Sequence, residues 1–144
     1  MPLLNYSTTV PAAKTVGQIQ GILAGHGARA VMMEYGDGGQ ITALAFQVEG
    51  PLGPLSIKLP VDAKSTLRML DKSGAQPRFC TRDHAYRVAW RIIKDWVEAQ
   101  MALLETEMVK MEQIFLPYII TGSGLTVYEI MEKKQFLLGR GDND

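Results

Sequence analysis

The sequence predicts a single α+β domain. Three observations predict it. Three strand-like segments lie between residues 28 and 59, parted by glycine-rich turns. Apolar residues recur at helical spacing before and after them, and no internal repeat or second composition class is present. Helix, antiparallel meander, helix is an α+β order. With 144 residues the chain can bury a core, since a domain near this size hides roughly 70% of its unfolded surface. Residues 1–138 are expected to form the domain: an N-terminal strand and helix, a three-stranded antiparallel meander, a short helix and a long C-terminal helix. Residues 139–144 (GRGDND) are expected to be a flexible tail.

NYSTTV, residues 5–10, alternates like a strand and ends at Pro11. In AAKTVGQIQGILAGHG, Val16, Ile19, Ile22 and Leu23 fall on one helical face, with Pro11 or Thr15 as start and Gly25 to Gly27 as stop. Gly17 and Gly21 weaken this helix by about 1 kcal/mol each relative to Ala; close packing against a sheet or helix would offset that cost. ARAVMMEY, residues 28–35, is the first meander strand. GDGG follows, and Asp-Gly and Gly-Gly favour the positive φ of hairpin turns. Residues 41–49 alternate, with Thr42, Leu44, Phe46 and Val48 as the expected core face. GPLGP makes the second turn, and Leu55, Ile57 and Leu59 give the third strand its apolar side.

Asp62 is the expected cap of a helix from Ala63 to near Gly74, with Leu67 and Leu70 inward. SGAQPRF is a loop, and Thr81 caps the main helix, Arg82 to about Leu104. That helix carries two adjoining apolar stripes, one through Ala85, Val88, Ala89, Ile92, Trp96, Ala99 and Leu103, the other through Trp90, Ile93, Val97, Met101 and Leu104. So broad a surface needs more than one neighbour. Residues 107–115 continue or restart the helix, TGSG turns, and residues 126–131 form a short last element.

Composition narrows function. Fifteen basic and 15 acidic residues give zero formal net charge, which excludes a protein-wide basic field, so any nucleic acid must meet a local patch. One cysteine cannot form an internal disulfide, as expected of a reducing cytosol. No apolar run approaches ~18 residues, and no signal-peptide pattern opens the chain, so neither a membrane span nor secretion is expected. The eight methionines read as adaptable core filling.

The charge order of the main helix is unusual. Arg78 to Lys94 holds five bases and one acid, and Asp95 to Glu112 holds five acids and one base. A helix dipole favours the opposite order. Arg87, Arg91 and Lys94 recur on one face, and Arg78 and Arg82 add charge at the start. Arginine forks match phosphate oxygens. Tyr86 and Phe79, interleaved with them, can stack on unpaired bases at ~1–3 kcal/mol each, whereas Trp90 falls on an apolar stripe and reads as core. Lys58 on the meander could extend the groove. A helix basic at one end and acidic at the other can also pair with a copy of itself, antiparallel or head to tail in a ring.

Across residues 5–130, NYSTTVP…KTVGQIQ, SIKLPV and RVAWRIIKDWVEAQMALLE…FLPY resemble a family of small uncharacterised bacteriophage and mobile-element proteins. That resemblance implies a setting of DNA recombination or counter-defence and carries no catalytic residue. The element order is also similar to the core of recombination proteins of the single-strand annealing type.

Other signals point to less. Cys80 lies between Arg78 and Arg82 before a helix start, where a thiol pKa falls. Yet Tyr86 stands where a phosphatase-type spacing needs Arg, and His84 has no third triad member. His26 and His84 make no metal motif, and neither glycine turn has P-loop spacing. Glu98, Glu105 and Glu112, seven apart, read as a solvated face, and Arg140-Gly141-Asp142 as a chance tripeptide. No cofactor or metal is expected. The sequence therefore points to a non-enzymatic, cytoplasmic homo-oligomer that binds single-stranded DNA through Arg78, Arg82, Arg87, Arg91, Lys94, Lys58, Tyr86 and Phe79. The alternatives are a counter-defence protein sequestering an acidic partner or nucleotide, and a Cys80-dependent hydrolase.

Overall fold

The computed structural model describes residues 2–136; the expected tail, residues 139–144, lies outside them. Helix α1 (Ala12–Ala24) is followed by strands β1 (Ala30–Tyr35), β2 (Ile41–Gly50) and β3 (Gly53–Lys58). Helices α2 (Ala63–Lys72), α3 (Arg82–Glu105), α4 (Met111–Phe115) and α5 (Val127–Lys133) complete the order. The strands form one antiparallel sheet in the order β1-β2-β3. The fold is α+β, as the sequence predicts.

The core lies between one face of the sheet and the helices. Val16, Ile19 and Leu23 of α1 meet Leu44, Phe46 and Val48 of β2, Ile57 beside them on β3, and Trp90, Ile93, Val97 and Met101 of α3. Phe115 of α4 closes the cluster edge-on to Phe46 and Trp96, with ring centroids 5.5 Å apart in each pair. The alternation of β2 is the expected one from Leu44 onward; before it Thr42 is exposed and Ala43, on the other side, is buried. Of the two stripes on α3, both are buried over its first half, and then only Ile93, Val97 and Met101 stay covered while Ala99 is exposed. The methionines divide: Met101 is buried, while Met32, Met69 and Met108 are exposed.

Turns and caps follow the sequence. In the β1–β2 connection Gly38 and Gly39 take φ of 78° and 79°, a region other residues enter only at a cost. Asp62 caps α2, its side chain accepting from the Ser65 N–H at 3.1 Å. Thr81 caps α3, accepting from the His84 N–H at 3.1 Å. Residues 119–126 add a small hairpin beside β3, through an isolated bridge between Ile57 and Ile119.

Two expectations fail. The NYSTTV segment is not a strand: residues 4–7 form a turn, and Asn5 has φ 63°. Its polar groups go to α3. Asn5 donates to Asp95 at 2.8 Å, and the Tyr6 carbonyl accepts from the His84 ring. With such partners on a helix the segment needs no sheet edge. Gly17 and Gly21 are not packing glycines either. Both are exposed, and a Cβ at either would meet nothing within 4 Å.

Candidate nucleic-acid interface

Two clefts meet at the start of α3. The first, about 620 Å³, lies between the β1–β2 turn, the start of α1 and the start of α3. Arg78, Phe79, Arg87 and Asp83 line it together with Gly39 and Ala12. The second, about 680 Å³, lies between α2 and α3, with Val61, Leu67 and Trp90 beside Lys64, Arg68 and Arg82. Gln40, Ile41 and Tyr86 belong to both linings, so the clefts adjoin.

Ile41 is fixed where they join. Its N–H donates to the Tyr86 hydroxyl at 2.5 Å, and its carbonyl accepts from the Trp90 indole N–H at 3.3 Å. Burial pushes the Tyr86 phenol above its ordinary pKa, with the Ile41 hydrogen bond opposing. Trp90 is fully buried, the core role its stripe indicates.

The cations differ in how they are held. Lys94 lies 3.0 Å from Glu98 and 3.9 Å from Asp95, so it is neutralised within the chain. Arg91 donates to the Gln18 side-chain carbonyl at 2.6 Å, a neutral partner that leaves its charge in place. Arg87 donates to His84 Nδ1 at 3.3 Å. His84 in turn donates from Nε2 to the Tyr6 carbonyl, and the Nε2–H tautomer fits both contacts. The Arg78 guanidinium sits 4.6 Å over the Phe79 ring. Arg82 is exposed. Among the described residues no ion pair reaches Arg78, Arg82, Arg87, Arg91, Lys64 or Arg68.

The structure therefore gathers Arg78, Phe79, Arg82, Tyr86 and Arg87 and leaves Arg91, Lys94 and Lys58 outside both cleft linings. Lys94 is paired. Lys58 is exposed between the buried Ile57 and Leu59, and lies with Met32, Glu34 and Glu129 on the opposite face of the sheet. It cannot extend a groove at the start of α3. Phe79 lies in the right place, but its ring is engaged by Arg78, by His84 at 4.9 Å and by the edge of Tyr6 at 5.6 Å. Lys64 and Arg68 belong to the groove and were missed by sequence reasoning. Their signal was present, as a four-residue spacing that puts both on one face of α2.

The acids of α3 have internal partners. Asp95 accepts from Asn5, Glu98 holds Lys94, and Glu105 lies 2.8 Å from His26. Both ring nitrogens of His26 face acceptors, Glu105 and the Ile22 carbonyl at 2.8 Å each. The Glu105 hydrogen bond first, then that to Ile22, raise the His26 pKa above its ordinary value. Of these acids, Glu98 and Glu105 thus face basic side chains, whereas Asp95 keeps its charge beside the neutral Asn5 amide.

Cys80 does not have the surroundings of a nucleophile. Burial first, then Asp71, push its thiol above the ordinary value, and its Sγ faces the Ala75 carbonyl at 3.6 Å. His84, the expected base, is engaged with Tyr6 and Arg87. Among the described residues no three His, Cys, Asp or Glu side chains converge as metal ligands would. Nor is any helix among them long and apolar enough to cross a membrane. No family model, curated protein or solved structure matches the chain, so the likeness to annealing proteins rests on element order alone.

Proposed function

We propose that the groove at the start of α3 binds single-stranded DNA, in a non-enzymatic, oligomeric protein from a phage or mobile-element setting. One observation carries this reading. Arg78, Arg82 and Arg87, joined by Lys64 and Arg68, line two adjoining clefts with no ion-pair partner among the described residues. Cations clustered at the basic end of a helix repel one another and oppose its dipole. A polyanion relieves both. The reading needs no net positive charge, because the patch is local.

Arg82, Arg87 and Arg78 contact phosphates in this reading, with Lys64 and Arg68 continuing the track along α2. Arg91, held at one side by Gln18, adds to the field rather than the grip. A second reading, sequestration of a small nucleotide, draws support from the size of the α2–α3 cleft, which is within the roughly 300–1,000 Å³ of small-molecule sites.

Fluorescence anisotropy with a labelled oligonucleotide tests the proposal. Affinity should fall with salt at a log–log slope of about −0.7 per phosphate contacted, or about −3.5 for these five cations. Affinity rising with strand length favours a track over a nucleotide trap, and light scattering of the complex reads the assembly. Absence of binding at low salt, or binding indifferent to salt, rejects the proposal.

A further inference from the structure

We propose that the cleft between α2 and α3 receives one unpaired nucleobase of the bound strand, an inference that rests on the reading above. The chemistry of this cleft differs from that of its neighbour. Its lining combines an apolar set, Val61, Leu67 and Ile41 backed by the buried Trp90, with three cations, Lys64, Arg68 and Arg82. A phosphate track alone has no use for the first set, and an aliphatic ligand has none for the second. A nucleotide uses both: the base is a flat, weakly polar plate and the phosphates beside it are anionic.

The hydrogen bonds from Ser65 first, and the nearby Arg68 after them, hold the carboxyl of Asp62, the one acid of the cleft, below its ordinary pKa, so its single charge is set against three cations. Its carboxylate holds the Ser65 N–H at 3.1 Å and the Ser65 hydroxyl at 2.8 Å. Gln40 and Thr42 also line the cleft; the Thr42 hydroxyl is already given to the Glu34 carbonyl at 3.3 Å, whereas the Gln40 amide, with one N–H 3.5 Å from Asp83, keeps its carbonyl and second N–H for the polar edge of a base. Tyr86, common to both linings, places the neighbouring phosphate within the first cleft, beside Arg87 and Arg78. Phe79 is the less suitable platform, being engaged by Arg78, His84 and Tyr6. A paired base is enclosed in its duplex and cannot enter, so the cleft selects single strands.

The test compares three ligands on the unaltered protein: oligothymidine, an abasic strand of equal length, and a mixed-sequence duplex. The abasic strand should bind at least about tenfold more weakly than oligothymidine, from the usual worth of one base contact, and the duplex more weakly as well. Leu67→Gln leaves the charge of the groove unchanged and spoils the apolar lining. It should weaken oligothymidine and leave the abasic strand unchanged, with circular dichroism checking the fold. Should that variant not fold, the three-ligand comparison decides alone. Equal binding of abasic strand and oligothymidine overturns the base site but leaves the phosphate track standing. A duplex that binds more tightly than oligothymidine overturns it also. If neither single strand binds, both the track and the base site fall.

Discussion

The two halves of α3 face opposite electrostatic problems and solve them differently. The C-terminal half carries acids where the helix dipole is negative, and each has a partner: Asn5 for Asp95, Lys94 for Glu98, His26 for Glu105. The N-terminal end carries bases where the dipole is positive. There Arg82 and its neighbours Arg78 and Arg87 have no carboxylate partner among the described residues. Only Thr81 and Asp83 favour the helix start. The arginines have neutral neighbours instead, His84 for Arg87 and the Phe79 ring for Arg78, and these leave the positive charge in place; the proposed phosphate contacts rest on that difference.

The largest expected effect comes from setting the two halves against each other. Arg82→Glu with Arg87→Glu should weaken single-strand binding by more than about tenfold and flatten the salt slope by at least about 1.4, the share of two phosphate contacts. Lys94→Ala, on the same helix but already paired with Glu98, should change affinity by less than about twofold. Anisotropy on the two proteins side by side decides; a Lys94→Ala loss as large as that of the arginines erases the distinction between the halves.

A smaller effect concerns stability. Thr81→Ala removes the hydroxyl that receives the His84 N–H, and urea unfolding should show a loss of about 1 kcal/mol. Little else at that end helps the dipole, so no measurable loss means that the start of the helix is held by packing alone.

The smallest effect belongs to the acidic half. His26 has a folded pKa raised above its unfolded value by Glu105 and Ile22. Its stabilisation is therefore fully present below about pH 6.5, the ordinary histidine value. It fades as pH rises through the folded value. Glu105→Gln should lower the melting temperature at pH 5.5 and hardly at all at pH 9. An equal loss at both pH values shows that the contact acts without the histidine charge.

Much of the fold was legible because local chemistry fixed it. The alternation of β2, the glycines of the first turn, and the Asp62 and Thr81 caps are each set by residues within a few positions of one another. Long-range choices were not legible. Asn5–Val10 has a strand pattern, but Asn5 and Tyr6 find partners on α3 about 80–90 positions away, and no local rule encodes that. Gly17 and Gly21 were expected to pack because a cost usually has a return; here both face open space. In the groove, the order of charge on α3 identified Arg78, Arg82 and Arg87. It could not bring in Lys64 and Arg68, which join only once α2 folds back beside α3. Lys58 failed for a plain geometric reason: alternation along β3 puts it opposite Ile57 and Leu59.

Strand β2 extends past the end of β3: their ladder starts at Ala45, one further bond joins the Leu59 N–H to the Leu44 carbonyl, and residues 41–43 run on beyond it. Uncovered, that overhang would offer free peptide groups to a passing extended chain, the usual seed of unwanted association. Tyr86 and Trp90 occupy both polar groups of Ile41 at its tip. The same two rings that shape the groove thus act as an end-stop, closing one route by which copies of the protein could zip together.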